Sequence, residues 1–353
     1  MRYHRVSPTP AKAPFPIPAL RLVHVVTRCV AAASVIHGLT SVAHGDDKMP
    51  LELTHVIPLA GVEGRLDHFA CDVAAGRLFV AALGNNSLEV VDVKRCDRVG
   101  SILGLHKPAG VLFVRGLQLI QVANGDDGSL RGYRADTFAL SARLDGFEDA
   151  DNMRFDPAEN LVYVGYGNGA LAVVDSSLER RMARIELPGH PEGFQVEELG
   201  RRIFVNVPDA DEITVVDREQ HRVVAHWPMA KFASSFPMAL DEGTHRLFVG
   251  SRNPPRLVVL DTDMGTVVTD IPICNDTDDL FYDPMRHRLY ISCGEGFVET
   301  VQIGRGDRYV RLARTPTRAG ARTSYFVPEL DRLFLAVPKR EGQVAEVRIY
   351  RPR

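Results

Sequence analysis

Apolar and polar positions alternate along this chain in short runs, and one run returns seven times at spacings of about 40 to 44 residues. Its copies are Arg77-Leu78-Phe79-Val80, a degenerate Leu117-Gln118-Leu119-Ile120, Leu161-Val162-Tyr163-Val164, Arg202-Ile203-Phe204-Val205, Arg246-Leu247-Phe248-Val249, Arg288-Leu289-Tyr290-Ile291 and Arg332-Leu333-Phe334-Leu335. β-Branched and aromatic residues dominate, and no long helical periodicity competes with them, so each copy predicts a buried strand. A fixed period of this length carried by strands is the signature of propeller blades. A second strand follows about a dozen residues after most copies and ends on aspartate, as in Val90-Val91-Asp92, Val173-Val174-Asp175, Val215-Val216-Asp217 and Val259-Leu260-Asp261. Aspartate suits the turn that must follow, because its carboxylate accepts bonds from backbone amides two residues on.

The last repeat is one strand short. It offers only Ser324 to Val327, Arg332 to Val337 and Ala345 to Tyr350 before Arg353, while Leu51 to Leu59 stands as an orphan ahead of the first full repeat. Pairing the two ends in one blade removes the exposed edges of an open array. The expected fold is therefore all-β: a single seven-bladed propeller of four-stranded antiparallel blades over residues 51–353, closed by the N-terminal strand. Composition fits this reading. The chain has 353 residues, 45% hydrophobic, with 29 Gly and 22 Pro for the many turns. Its single Trp argues against Trp-docked quinoprotein propellers and the Trp-Asp repeat family.

Residues 1–43 differ in kind. They hold Arg2, Arg5, Lys12, Arg21 and Arg28 without an acid, then the apolar run Cys29 to Ile36, then Ser41-Val42-Ala43. This order describes a signal peptide with a long basic lead, cut near Ala43 and followed by a short linker, 44–50. The alternative, a membrane anchor, is opposed by Arg28 and His37, which bracket a stretch too short for about 30 Å of hydrocarbon. Cys29 opens the apolar run instead of ending it, which also speaks against a lipoprotein. The expected location is periplasmic or secreted, with no membrane span after processing. Removing the five basic residues takes the formal charge from −3 to −8. So acidic a chain is not expected to bind nucleic acid.

Four cysteines remain after that cut, and an oxidising compartment allows them to pair. Cys274 lies in a loop leading into a blade and Cys293 just after the second strand of the same blade, so the two share a face and are placed to meet; the sequence leaves open whether they pair. Cys71 and Cys96 fall at opposite faces. No C-x-x-C motif occurs, so neither thioredoxin-type redox chemistry nor covalent c-haem is indicated.

Ile203-Phe204-Val205-Asn206 and its variants resemble the YVTN repeat of exported bacterial β-propellers, the YncE-like group. The resemblance covers nearly all of the mature chain. It implies a seven-bladed ring outside the cytoplasm and implies no reaction, since propellers host many unrelated functions.

Aligning the blades on the aromatic gives the functional clue. Twelve residues before Phe79, Tyr163, Phe204, Phe248, Tyr290 and Phe334 stand Asp67, Asp151, Glu192, Phe236, Asp278 and Arg322. The next position holds His68, Asn152, Gly193, Pro237, Asp279 and Thr323, and in degenerate blade 2 Lys107 and Pro108 fall near this level. Each position begins an innermost strand, so together they form a ring at one mouth of the central channel. Converging carboxylates repel unless a cation is near. The expected occupant is a divalent metal such as Ca²⁺ on Asp67, Asp151, Glu192 and Asp278, or an organic cation, with Arg322 as an internal counter-ion. The bland alternative is a wet mouth of solvated charges.

His68 beside Asp67 is a candidate general base or metal ligand, or else a hydrogen-bonded structural histidine. Ser324 needs a base within reach to act as a nucleophile, and no G-x-S-x-G motif is present. Asn124-Gly125-Asp126-Asp127-Gly128 lacks the EF-hand spacing and reads as a hairpin turn. Two functions stay open. One is a binding module taking a small cationic ligand, a metal ion or a protein partner at the mouth. The other is a metal-dependent hydrolase or lyase, with carboxylates and Asn152 on the metal and His68 moving a proton.

Overall fold

In a computed structural model, which describes residues 49–229 and 231–353, the described chain forms seven antiparallel sheets of four strands each. The expected signal peptide and most of the linker lie outside these residues. Each repeat supplies one blade, with its strands in chain order from the channel outward. Blade 4, for example, runs Phe194–Val196, Arg202–Val207, Glu212–Asp217 and Arg222–Pro228.

The repeated aromatic is what joins blade to blade. Phe79, Tyr163, Phe204, Phe248, Tyr290 and Phe334 are all completely buried. Each packs on the blade that follows: Tyr163 against Phe194 and Ile203, Phe204 against Met238 and Leu247, Phe248 against Leu280 and Leu289. Phe334 of blade 7 completes the ring against Leu78 and Phe69 of blade 1. A large side chain at this point removes apolar area from water on two blades at once, about 1.5–3 kcal/mol per residue.

Closure follows the expected route. Leu51–Leu59 pairs antiparallel with Ala345–Pro352, burying Leu51, Ile57 and Leu59 as the outermost strand of blade 7. The strand-ending aspartates cap their turns. Asp92 accepts from the Lys94 and Arg95 amides at 2.9 and 2.8 Å, and Asp217 from Glu219 and Gln220 at 3.0 and 2.8 Å. Asn124 to Gly128 closes a hairpin between Leu119–Asn124 and Ser129–Arg134. Cys274 and Cys293 form a disulfide, whereas Cys71 and Cys96 are unpaired.

Blade 2 requires a correction. In five other blades the third strand bulges directly after the residue paired with the aromatic, for example between Val90 and Val91 opposite Phe79. In blade 2 the same bulge follows Gly132, whose partner is Gln121. Gln121 is thus the anchor, fully buried, with its Nε2 donating to the Ser176 carbonyl at 2.6 Å. Counting back twelve and eleven residues gives Ala109 and Gly110 at the ring level, in place of Lys107 and Pro108. A Cβ on Gly110 would stand 2.0 Å from the Asp151 carbonyl oxygen, so glycine is what admits blade 3 at this point. Among the described residues no helix is long and apolar enough to cross a membrane.

Candidate functional site at the channel mouth

Repeat geometry predicts the ring because the same two backbone bonds recur at its positions. Asp67, Asp151 and Glu192 donate their amides to Ala81, Gly165 and Asn206. The amides of these three donate in turn to the carbonyls of His68, Asn152 and Gly193. A cavity of about 50 Å³ at this mouth is lined by Asp67, His68, Asp151, Asn152, Glu192, Asp278 and Asp279, together with Arg65, Arg154 and Phe236. Seven of the nine residues expected to bind a ligand therefore share one cavity. Arg322 and Thr323 stand beside it. Thr323 Oγ1 donates to the Leu66 carbonyl at 3.1 Å and ties blade 7 to blade 1, a structural task.

The charge on the ring is not uniform. Asp278 of blade 6 meets three guanidinium groups: Arg322 Nε at 3.0 Å, Arg65 Nη2 at 3.3 Å, and Arg252 Nη2. Asp276 adds a second carboxylate, 2.7 Å from Arg322 Nη1 and 3.6 Å from Arg252 Nη2. Arg252 also lies over the Phe236 ring, 3.9 Å from its centroid, in cation–π contact. Arg65 reaches back to Asp67 at 3.3 Å. Three arginines and three acids balance in this sector.

On blades 3 and 4 the acids are less well matched. Asp151 has His68 Nε2 at 3.6 Å, and its Oδ1 is buried without a hydrogen-bond partner. Glu192 forms no ion pair among the described residues. Burial first, then the nearby charge of Asp151, pushes its pKa up to about 7. Burial likewise raises Asp67 to about 6 and Asp279 to about 7, while the Ser324 amide donates to Asp279 Oδ2 at 2.7 Å. Asp151 moves the other way: burial opposes its charge, but the His68 imidazolium holds it below the usual carboxylate range. His68 gains in return. Burial opposes its charge too, yet Asp67 and Asp151 outweigh that and lift it to about 10.

These values alter two expectations. As a general base His68 is in the wrong state at neutral pH, because it already carries the proton; its position suits donation. The proposed metal set also fits poorly. Asp278 is occupied by guanidinium groups, and among the described residues no three His, Cys, Asp or Glu side chains gather to hold an ion. Ser324 is buried with Ser292 Oγ as its hydroxyl partner at 2.8 Å, so no base activates it.

Arg252 is the functional residue that the repeat pattern least reveals. It stands four residues after the Phe248 anchor, where the other aromatic-anchored blades carry Leu83, Gly167, Pro208, Gly294 and Pro338. That position leaves the second strand at the same mouth where the first begins, so a lone charge there was a usable signal.

No family model matches the chain, and no curated protein matches it. Solved structures do. A chain of Kuenenia stuttgartiensis hydrazine synthase matches with a TM-score of 0.68 and 15% identity, covering 78% of this chain and 94% of that one. A chain of a mitotic checkpoint complex matches with a TM-score of 0.73 and 11% identity, covering 94% and 98%. At such identities the likeness is one of fold: the chain is a seven-bladed β-propeller.

Proposed function

We propose that this chain is an exported, YVTN-like propeller that binds a small organic cation at the channel mouth, holding an ammonium group between Asp151 and Glu192. The observation that carries the reading is the buried Asp151 Oδ1, which among the described residues has the His68 imidazole at 3.6 Å and no hydrogen bond. A buried carboxylate oxygen left without a hydrogen bond is costly, and a ligand donor relieves that cost. Glu192, also without an ion pair among the described residues, lines the same cavity. A space of about 50 Å³ admits a head group and leaves the rest of the molecule outside. Export accords with the basic, acid-free leader and with the Cys274–Cys293 disulfide, which suits an oxidising compartment.

Calorimetric titration at pH 8 with 1,4-diaminobutane, against 1,4-butanediol and Ca²⁺, tests the reading. The diamine is expected to bind and the diol not. Asp151→Asn should weaken diamine binding about 10–100-fold, as expected when a charge-assisted hydrogen bond of roughly 1.5–3 kcal/mol is lost. Equal binding of diol and diamine, or a response to Ca²⁺ alone, would overturn it.

A further inference from the structure

Below the acidic mouth the channel widens into a second chamber of about 500 Å³. The two spaces share His68, Arg154, Gln195, Asp279 and Phe281, which form a waist between them. The chamber opens at the opposite face, where its lining reaches exposed Glu198 and Pro328. Its character follows from one position of the repeat. Nine residues before each anchor, side chains turn into the channel, and there the seven blades carry Ala70, Leu112, Arg154, Gln195, Ala239, Phe281 and Tyr325. Phe281 and Tyr325 meet edge to face at 5.9 Å, and Phe69 stacks on Tyr325 at 6.4 Å, giving a continuous aromatic wall.

Arg154 stands apart in that wall. Among the described residues it makes no ion pair. Its Nη1 donates to the Met153 carbonyl at 2.8 Å and to Asn152 Oδ1 at 3.4 Å, leaving Nη2 and Nε without partners. Burial works against its charge. The nearest carboxylate on the lining, Asp279, is engaged by the Ser324 amide, and Glu198 lies out at the opening. A half-buried guanidinium with free donors facing the chamber, set in a ring of aromatic and aliphatic side chains, is an arrangement that recognises a planar carboxylate.

We infer that the chamber is a second binding site, distinct from the cation-binding mouth, and that it takes an aromatic carboxylate with its rings against Phe281 and Tyr325 and its anion on Arg154. About 500 Å³ accommodates a two-ring acid. No bond is made or broken; the site binds.

The test uses 2-naphthoate, its neutral analogue 2-naphthamide, and the purified chain. By calorimetry the wild type should bind naphthoate at least about tenfold more tightly than the amide, the increment of one charge-assisted hydrogen bond. Arg154→Met should bring naphthoate down to the level of the amide without weakening the amide, and Arg154→Lys should restore part of the preference. Glu192→Gln, which touches the mouth alone, should leave naphthoate binding unchanged, so failure here is separable from failure of the amine reading. Cys71 also lines the chamber. In a Cys96→Ser background naphthoate should slow alkylation of Cys71 several-fold, a readout that needs no change at Arg154. A wild type indifferent to the ligand's charge overturns the inference. So does an Arg154→Met variant that folds and still prefers naphthoate, or an alkylation rate that naphthoate leaves unaltered.

Discussion

Asp278 and Glu192 occupy the same place in the repeat, twelve residues before Tyr290 and Phe204, yet they live in opposite electrostatic settings. Three arginines converge on Asp278, whereas Glu192 has burial and the charge of Asp151 against it and no ion pair among the described residues. The difference comes from the residues around the ring. Arg252 enters from the end of a second strand, Arg65 from two residues before the ring level, and Arg322 from the ring itself. The corresponding residues around Glu192 supply no guanidinium. Equivalence in a repeat therefore fixes where a side chain stands; its charge state depends on neighbours that the repeat does not dictate. One sector of the mouth holds itself together, and the other is left with unmet demand that a ligand can satisfy.

The most forceful way to break this comparison is to remove the shared anion of the closed sector. Asp278→Ala leaves Arg65, Arg252 and Arg322 facing one another with Asp276 as the main remaining counter-charge. Loss of one partner from a buried pair costs about 3–5 kcal/mol. The arginines here keep partial contact with water, so about 2–4 kcal/mol is expected, read as a lower urea midpoint. An Asp278→Ala variant as stable as wild type would show that the arginine cluster is ornamental and that the two sectors do not differ in kind.

A somewhat smaller effect is expected at the clamp beside that sector. The Cys274–Cys293 disulfide spans 19 residues and ties down the loop that carries Asp276 and Asp278. For a loop of that size the chain-entropy model gives roughly 3 kcal/mol at most, and measured values are commonly lower. A Cys274→Ser/Cys293→Ser double variant should lose about 2–3 kcal/mol while keeping its affinity for 1,4-diaminobutane, since Asp151 and Glu192 belong to other blades. Joint loss of stability and amine binding would mean that the sectors are coupled and that the contrast between them is false.

Much of this was legible in the residues, and the gaps have identifiable causes. The anchors Phe79 through Phe334 recur because each must fill an inter-blade space, so period and blade count follow from packing alone. Leu51 to Leu59 could be assigned to blade 7 because strand count in a closed ring is a conserved sum. That Cys274 and Cys293 share a face followed from the repeat, but that they pair is seen only in the structure. Blade 2 is hard to align because its anchor is Gln121, a polar residue whose buried Nε2 bonds the Ser176 carbonyl of the next blade while its Oε1 has no partner among the described residues. Sequence periodicity has no view of that bond. The ring acids were legible, and so was Arg322 as their counter-ion; Arg252 was not, because it sits sixteen residues after the ring position of its own blade, Phe236, and acts on Asp278 of the next. Arg154 lies one pleat deeper than the ring, at an inward-facing position where the blades share no charge pattern to mark it.

The finest discrimination between the sectors comes from pH. Glu192 holds its proton more tightly in the fold, at about 7, than at its ordinary value of 4.5. A group raised in this way contributes stability that is fully present below the unfolded value and is lost as pH rises through the folded one. Between pH 4.5 and about 7 the wild type therefore gives up part of its stability as Glu192 ionises against Asp151. Glu192→Gln has no proton to lose, so relative to wild type it should gain as pH rises, levelling off above pH 7. Partial exposure and solvent screening hold the gain to the order of 1 kcal/mol. Urea midpoints of both proteins at pH 5, 6, 7 and 8 measure it, and a difference that stays flat across that range would remove the charge conflict from this half of the mouth. In the same interval diamine binding should strengthen with pH as the carboxylate ionises, so one ionisation weakens the empty protein and favours its ligand. Across the mouth, the three arginines around Asp278 leave a ligand cation no unmet charge to satisfy.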